Sequence, residues 1–325
     1  MKYLTTITCC LMLLVSGTAF ADDAKFTIKA IDESGNTIPG ANVRISLPNR
    51  TGWGDDGPDK KITYLTDSEG ICVAQIEYKG DAGFLVFKDN YYKTSGSIQL
   101  KKSSNIFHGW EPWNPTIEVM LKKIGTQIPM YAKREQSKLP GLRIECGYDL
   151  TQGDWIAPYG KGETADFIFK VEGSRREEPG TTRFPEVYYN YVITLTFSNP
   201  GDGIQPVFAP PRGGSELRLA HEAPESGYEN LLKLRICSEK DKSVYENVRE
   251  DQNYYFRVRT QRDAKGNIIS GLYGKISGNI EFGPKYVNFT YYLNPDPVSR
   301  GLEWDGKNNL LKNIKHTSLN WPPRN

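Results

Sequence analysis

From Lys25 onward, apolar and polar residues alternate in short runs. "FTIKAID", "NVRISL", "ICVAQI" and "GFLVF" each place apolar side chains at every second position, the period of a half-buried β-strand. Clusters of turn-forming residues separate them. "ESGN" follows the first run, and Gly35 and Asn36 tolerate the positive φ of a hairpin loop. "IPGA" supplies a second bend, because Pro39 cannot donate to a central ladder and Gly40 carries no Cβ. Asp67-Ser68-Glu69-Gly70 repeats the device between "ITYLT" and "ICVAQI", and "GSIQLKK" closes the set. Strands of five to seven residues, each ended by a turn cluster, predict an antiparallel sandwich.

The rest of the chain follows the same grammar. "TIEVMLKK" reads as a strand and "IPMYAKR" as an extended segment leading on. "LRIECGYDL", "ADFIFKVEG", "YYNYVITLTFSN", "LLKLRICSE" and "VNFTYYLNP" follow, rich in β-branched and aromatic residues and bounded by Gly, Pro, Asn or Asp. "YYFRVRTQRDAKGNIISGLYGKI" predicts a hairpin with Asp263-Ala264-Lys265-Gly266 at its tip. Only "YENLLKLRI" reads equally as helix or strand. The expected fold class is all-β: an N-terminal seven-stranded-type β-sandwich, then a larger antiparallel β-sandwich-like domain. About 300 residues exceed what one small core covers, so two domains are expected, at 24–123 and 124–325.

The chain opens "MKYLTTITCCLMLLVSGTAFADDA". Lys2 forms a positive n-region, the apolar run is too short to span a bilayer, and Ala19-Phe20-Ala21 fits a signal-peptidase site. Residues 1–21 therefore predict a signal peptide and an exported protein, periplasmic or extracellular, with no transmembrane anchor. The 41 basic and 39 acidic residues are intermixed, so the chain lacks the electrostatic footprint of a nucleic-acid partner. Beyond the leader stand Cys72, Cys146 and Cys237. Export permits a disulfide, with Cys146 and Cys237 the candidate pair and buried free thiols the alternative.

Asp32-x-x-Gly35, Pro39-Gly40-Ala41-x-Val43, Thr66-Asp67-x-x-Gly70 and the "GFLVFKDNYY" strand together resemble the carboxypeptidase regulatory-like family. The resemblance covers Lys25 to Lys101 and departs in "PNRTGWGDDGPDKK", a Gly/Asp-rich insertion. It implies a transthyretin-like or immunoglobulin-like sandwich serving as an accessory module that supports enzymes, attaches to surfaces or binds glycans. "YDLTQGDWIAPYGKGETADFIF" and "NFTYYLNPDPVSRGLEWDGKNNL" resemble a region of secreted bacterial proteins of uncharacterised function, and imply no chemistry.

Several chemistries fail on spacing. "APYGKGET" lacks the Gly-x4-Gly-Lys-Ser/Thr order of a phosphate loop. "HEAPE" offers one histidine where a zincin helix needs two, and Pro224 breaks the helix. His108, His221 and His316 are scattered. Asp55, Asp56 and Asp59 could offer oxygens to Ca²⁺ from an extracellular loop, without the spacing of an EF-hand. A glycoside hydrolase would need two facing acids about 5 to 10 Å apart, and Asp149, Asp154, Glu281, Glu303 and Asp305 stand near aromatic residues. Glycan binding draws on tryptophan in polar loops, where the indole face can stack on sugar: Trp53, Trp110, Trp113, Trp155 beside Asp154, and Trp304 beside Asp305. Cementing an interdomain contact is the alternative for Trp110 and Trp113, and packing in the second core for Trp155. The leading expectation is a non-enzymatic exported binding or structural protein of the bacterial envelope, with polysaccharide or envelope proteins as partners. A carbohydrate-active enzyme of the glycoside hydrolase type and a protein–protein adhesion or assembly subunit are the alternatives.

Overall fold

The computed structural model describes residues 23–49, 58–78, 80–103, 109–180, 184–210, 212–240 and 242–323. The predicted signal peptide lies outside them. Among the described residues there are strands and turns and no α-helix, and none is a helix long and apolar enough to cross a membrane. The all-β fold class expected from the alternation is what the chain adopts. The chain divides into two compact units, residues 1–30, 37–84 and 97–119 in one, and residues 31–36, 85–96 and 120–325 in the other.

The smaller unit is built on β1 (Ala24–Ile31), β2 (Asn42–Leu47), β3 (Lys60–Leu65), β4 (Ile71–Ile76), β5 (Gly80–Phe87), β6 (Thr94–Lys102), β7 (Trp110–Glu111) and β8 (Thr116–Met120). One sheet runs β4-β1-β8 and a second runs β6-β5-β2-β3, with β7 on β6. The alternation becomes burial: Val43, Ile45 and Leu47 of β2 are buried, and so are Cys72, Ala74 and Ile76 of β4. The bend at Pro39-Gly40 is tied by Thr66, whose hydroxyl donates to the Ile38 carbonyl at 2.8 Å and accepts from the Ala41 N–H at 2.8 Å.

The larger unit contains β9 (Ile128–Lys138), β10 (Cys146–Asp149), β11 (Asp154–Trp155), β12 (Phe167–Glu178), β13 (Glu186–Thr196), β14 (Gly203–Phe208), β15 (Gly214–Ser215), β16 (Leu231–Glu239), β17 (Lys242–Glu246), β18 (Gln252–Arg262), β19 (Ile268–Ile276), β20 (Glu281–Gly283), β21 (Tyr286–Leu293) and β22 (Trp304–Asn309). The ambiguous "YENLLKLRI" resolves as strand β16. One sheet has the order β11-β10-β12-β13-β16-β17, and another β14-β18-β19-β21-β9-β22 with β20 added to β21. Their facing sides enclose the main core, in which Phe167, Phe169, Ile193 and Leu195 meet Phe256, Val287, Phe289 and Tyr291. The second sheet is covered on its other side too. Met130, Ala132 and Tyr292 pack there with Trp304, while Tyr255 and Tyr273 pack with Leu219 and Leu302. Thr94 and Ser95, at the start of β6, fall within this larger unit and pair with Ser215 and Gly214 of β15.

Candidate functional site

The structure corrects the tryptophan reading. Trp155 is 6% exposed, edge-to-face against Tyr148 at 5.1 Å and Phe169 at 6.0 Å. Trp304 is 0% exposed, between Tyr292 and Trp321, with its Nε1 donating to the Asn308 carbonyl at 3.1 Å. Their ring faces are taken up by protein, so neither can stack on a ligand. The adjacent acids shape turns. Asp154 accepts from the N–H of Trp155 and Lys161, and Asp305 from those of Lys307 and Asn308. Trp53, Asp55, Asp56 and His108 lie outside the described residues. Asp59 is an exposed residue just before β3, and the described residues hold no cluster of three or more metal-ligating side chains.

The cysteine pairing is corrected as well: Cys72, Cys146 and Cys237 are free and buried. Cys146 lies on β10 and Cys237 on β16, with β12 and β13 between them. Three strand spacings amount to about 14 Å, and a disulfide tolerates a Cα separation of about 7 Å at most. Burial, and then the Asp67 charge, push the Cys72 thiol up to about 11, and burial raises that of Cys146, so both are poor nucleophiles.

Of the carboxylates singled out for hydrolysis, Asp149 and Glu303 are engaged in holding the fold, as Asp154 and Asp305 are in their turns, while Glu281 is exposed. Asp202 accepts the N–H groups of Arg259 and Thr260, fixing an irregularity in β18 where Arg259 adopts φ +54°. That bend aims the Arg259 guanidinium at Asp166 (2.8 Å) and Asp149 (3.0 Å). Burial raises the Asp166 pKa despite Arg259. Asp149 is held low against burial by the backbone N–H groups of Thr164 and Glu163. Glu303 accepts from the Tyr92 hydroxyl at 2.7 Å and the Gly125 N–H at 2.9 Å, and meets His221 Nδ1 at 2.5 Å. His221 Nε2 faces Glu33 at 3.0 Å. A carboxylate on each ring nitrogen favours the protonated ring of His221 and raises its pKa against the effect of burial. Fully buried Lys275 lies nearby, its ammonium 5.2 Å from the centre of the Tyr292 ring, and burial pushes its pKa down to about 7 against the field of Glu303.

What remains open is a polar track on the outer side of the second sheet. Side chains alternate along β21, so Val287, Phe289 and Tyr291 enter the core while Tyr286, Asn288 and Thr290 face away. The antiparallel register completes each rung. Thr290 lies opposite Arg134, Asn288 between Gln136 and Glu281, and Tyr286 between Lys138 and Gly283. A cavity of about 330 Å³ lies over the first two rungs, walled also by Ser277, Gly278 and Asn279. Asn279 Oδ1 is buried without a hydrogen-bond partner among the described residues. At Ser277 this cavity meets another of about 310 Å³, whose wall includes Ser95, Lys93, Gly214, Ser215 and Arg218.

At the other end the track becomes aromatic. A Cβ on Gly283 would stand 2.4 Å from a ring carbon of Tyr286, so the absence of a side chain lets the phenol ring lie over that rung, 43% exposed. Beyond it lies the open end of the first sheet. Burial along β13 declines from Ile193 to Tyr189 and then to exposed Val187 on one face. Tyr189 and Tyr191 stack with ring centres 5.7 Å apart and planes at 12°. Ile236 is paired with both Tyr191 and Tyr245, which puts Tyr245 (59% exposed) on that face. Burial, then the neighbouring Tyr245 and Tyr286, raise the Tyr189 pKa. Sequence reasoning missed these tyrosines because it looked for tryptophan in loops. The available signal was "YYNY" entering a strand, in which the hydroxyl-bearing ring recurs every second residue.

No protein-family model and no curated protein matches the chain. Similar solved structures include catechol 1,2-dioxygenase from Acinetobacter radioresistens, 15% identical over 34% of this chain and 55% of its own, with a TM-score of 0.25. The chain thus spans about half the length of that dioxygenase. The full-length major pilin SpaD from Corynebacterium diphtheriae is 8% identical over 77% of this chain and 91% of the pilin, at a TM-score of 0.26. A putative carbohydrate binding protein from Bacteroides uniformis is 11% identical over 84% and 98%, at 0.18. At TM-scores this low none of them bears on what this chain binds.

Proposed function

We propose that the chain is an exported, non-enzymatic binding protein that holds a glycan chain along the track from Tyr245 and Tyr189, past Tyr286, to the cavities at Ser277. The observation that carries this reading is the Tyr286 ring laid over Gly283, 43% exposed, next to a rung of Gln136, Asn288 and Glu281. Sugars present apolar ring faces edged by hydroxyls. An exposed phenol face beside amide and carboxylate groups is complementary to both. Export is supported by the N-terminal sequence, with its positive n-region, apolar run and Ala-x-Ala site.

The test is an array of bacterial and plant polysaccharides probed with the chain from Asp22 onward. Saturable binding is expected, weakened about tenfold by Tyr286→Ala, the value of one stacked ring at about 1.4 kcal/mol. Silence of the wild type across the array, or undiminished binding by Tyr286→Ala, overturns the reading.

A further inference from the structure

The cavity beyond Ser277 differs in character from the rest of the track. Lys93 and Arg218 stand in its wall against one carboxylate, Glu216, so the lining carries one net positive charge. The Lys93 side chain makes no hydrogen bond or ion pair within the described residues. The Ser215 hydroxyl, also in the wall, is buried without a partner there. Buried hydroxyls in folded proteins nearly always meet a partner, so an orphan donor on a residue that lines the cavity is a group an occupant could satisfy.

The backbone explains how the wall is built. Gly213 and Gly214 both have positive φ, +72° and +79°, a conformation open to glycine and strained for other residues. A Cβ at Gly214 would meet nothing within 4 Å, so the glycine is required by its dihedral angles and not by crowding. The turn they make delivers Ser215 to its pairing with Thr94 and brings the Glu216 N–H to the Lys93 carbonyl at 2.8 Å. Those two links bring Lys93 and Ser215 to the wall of one cavity.

From this arrangement we infer that the cavity is an anion subsite, taking the acidic group of a charged sugar through Lys93, Arg218 and the Ser215 hydroxyl. The inference rests on the glycan reading of the track and narrows it to acidic glycans. An ammonium, a guanidinium and a hydroxyl are all donors, and charge-assisted hydrogen bonds to an oxyanion are the stronger kind. The cavity holds a carboxylate or a phosphate, and a glycan supplies either one: a uronic acid or a phosphorylated sugar.

Small probes test the subsite apart from the track. Glucuronate, its methyl ester and inorganic phosphate are each titrated into the ¹⁵N-labelled chain from Asp22 onward, following the amide signals of Lys93, Gly213, Gly214 and Ser215. The acid is expected to shift these signals saturably and the neutral ester to leave them in place. Lys93→Gln should weaken the acid about fivefold or more, as should Ser215→Ala to a lesser degree. Raising salt to about 0.3 M should weaken binding in the wild type more than in Lys93→Gln. Tighter binding of glucuronate than phosphate assigns a uronic acid, and the reverse order assigns a phosphorylated sugar. Equal response to acid and ester, or no response to either anion at about tenfold above the usual weak-ligand range of 1 mM, overturns the subsite. Polysaccharide binding sensitive to Tyr286→Ala but indifferent to charge would sink the subsite and leave the glycan reading standing. Anion binding here without any polysaccharide binding would remove the glycan reading and with it the assignment to a sugar.

Discussion

His221 is held between two carboxylates, and its pH behaviour follows from that geometry. Burial lowers the imidazole pKa, but the hydrogen bonds to Glu303 and Glu33 outweigh it and raise the value above the ordinary one. A raised folded value means that the stabilisation is fully present below the unfolded pKa of about 6.5 and is lost as pH climbs through the folded value. Glu303 has the opposite sense. Burial raises it, yet Tyr92, His221 and the Gly125 N–H hold it low, so its contribution disappears as pH falls through the folded value. Lys275 opposes His221, since its depressed pKa makes the fold gain stability as pH rises above about 7. The comparison is therefore made between variants: His221→Gln is expected to be less stable than the wild type by about 1 kcal/mol at pH 5.5, partial exposure limiting the amount. That difference should shrink as pH rises through the folded pKa of His221. Urea unfolding of both proteins across pH 5.5 to 8.5 measures it, and a constant difference would refute the assignment.

At the scale of elements, the turns were readable in advance because one short-range device recurs. Asp32, Asp67 and Asp263 each accept the N–H groups two and four residues ahead, with a positive-φ glycine at the third position. Five consecutive residues contain the whole interaction. The track could not be read in this way, because Gln136, Glu281 and Asn288 form one rung only through a register set over the lengths of β9 and β21. The burial of Trp155 was hidden for a similar reason. Its neighbours Tyr148 and Phe169 come from different strands, and a local Gly/Pro setting looks the same whether the indole turns inward or outward. A further element-scale expectation concerns Gly173, midway along β12 with φ +145°. A Cβ there would stand 2.0 Å from the Asn190 carbonyl oxygen across the ladder. Gly173→Ala should cost about 3 kcal/mol in urea unfolding, through strain and a broken β12–β13 pairing. A loss under about 0.5 kcal/mol, the level of a neutral surface change, would mean that the strands absorb the methyl group.

At the scale of the whole molecule, stability rests on packed sheets, and among the described residues there is no covalent staple. A bridge closing a loop as long as the one between Cys146 and Cys237 would contribute up to about 4.6 kcal/mol and several degrees of Tm. The free thiols predict instead that the thermal midpoint of the chain from Asp22 onward, purified under air, moves by less than about 1 °C on adding reductant. A drop of several degrees would show a bridge. Alternation made the all-β class legible, whereas the number of layers was not, because a strand buried on both sides loses the alternation that identifies it. In β18 the residues from Gln252 to Val258 are all buried. The second sheet of the larger unit is the inner leaf of its packing, with hydrophobic residues against both faces. A ligand laid along β9 and β21, as proposed, would therefore meet a wall packed on both faces. Little conformational entropy would be surrendered on association, no closing motion would slow capture, and free and occupied forms would superimpose.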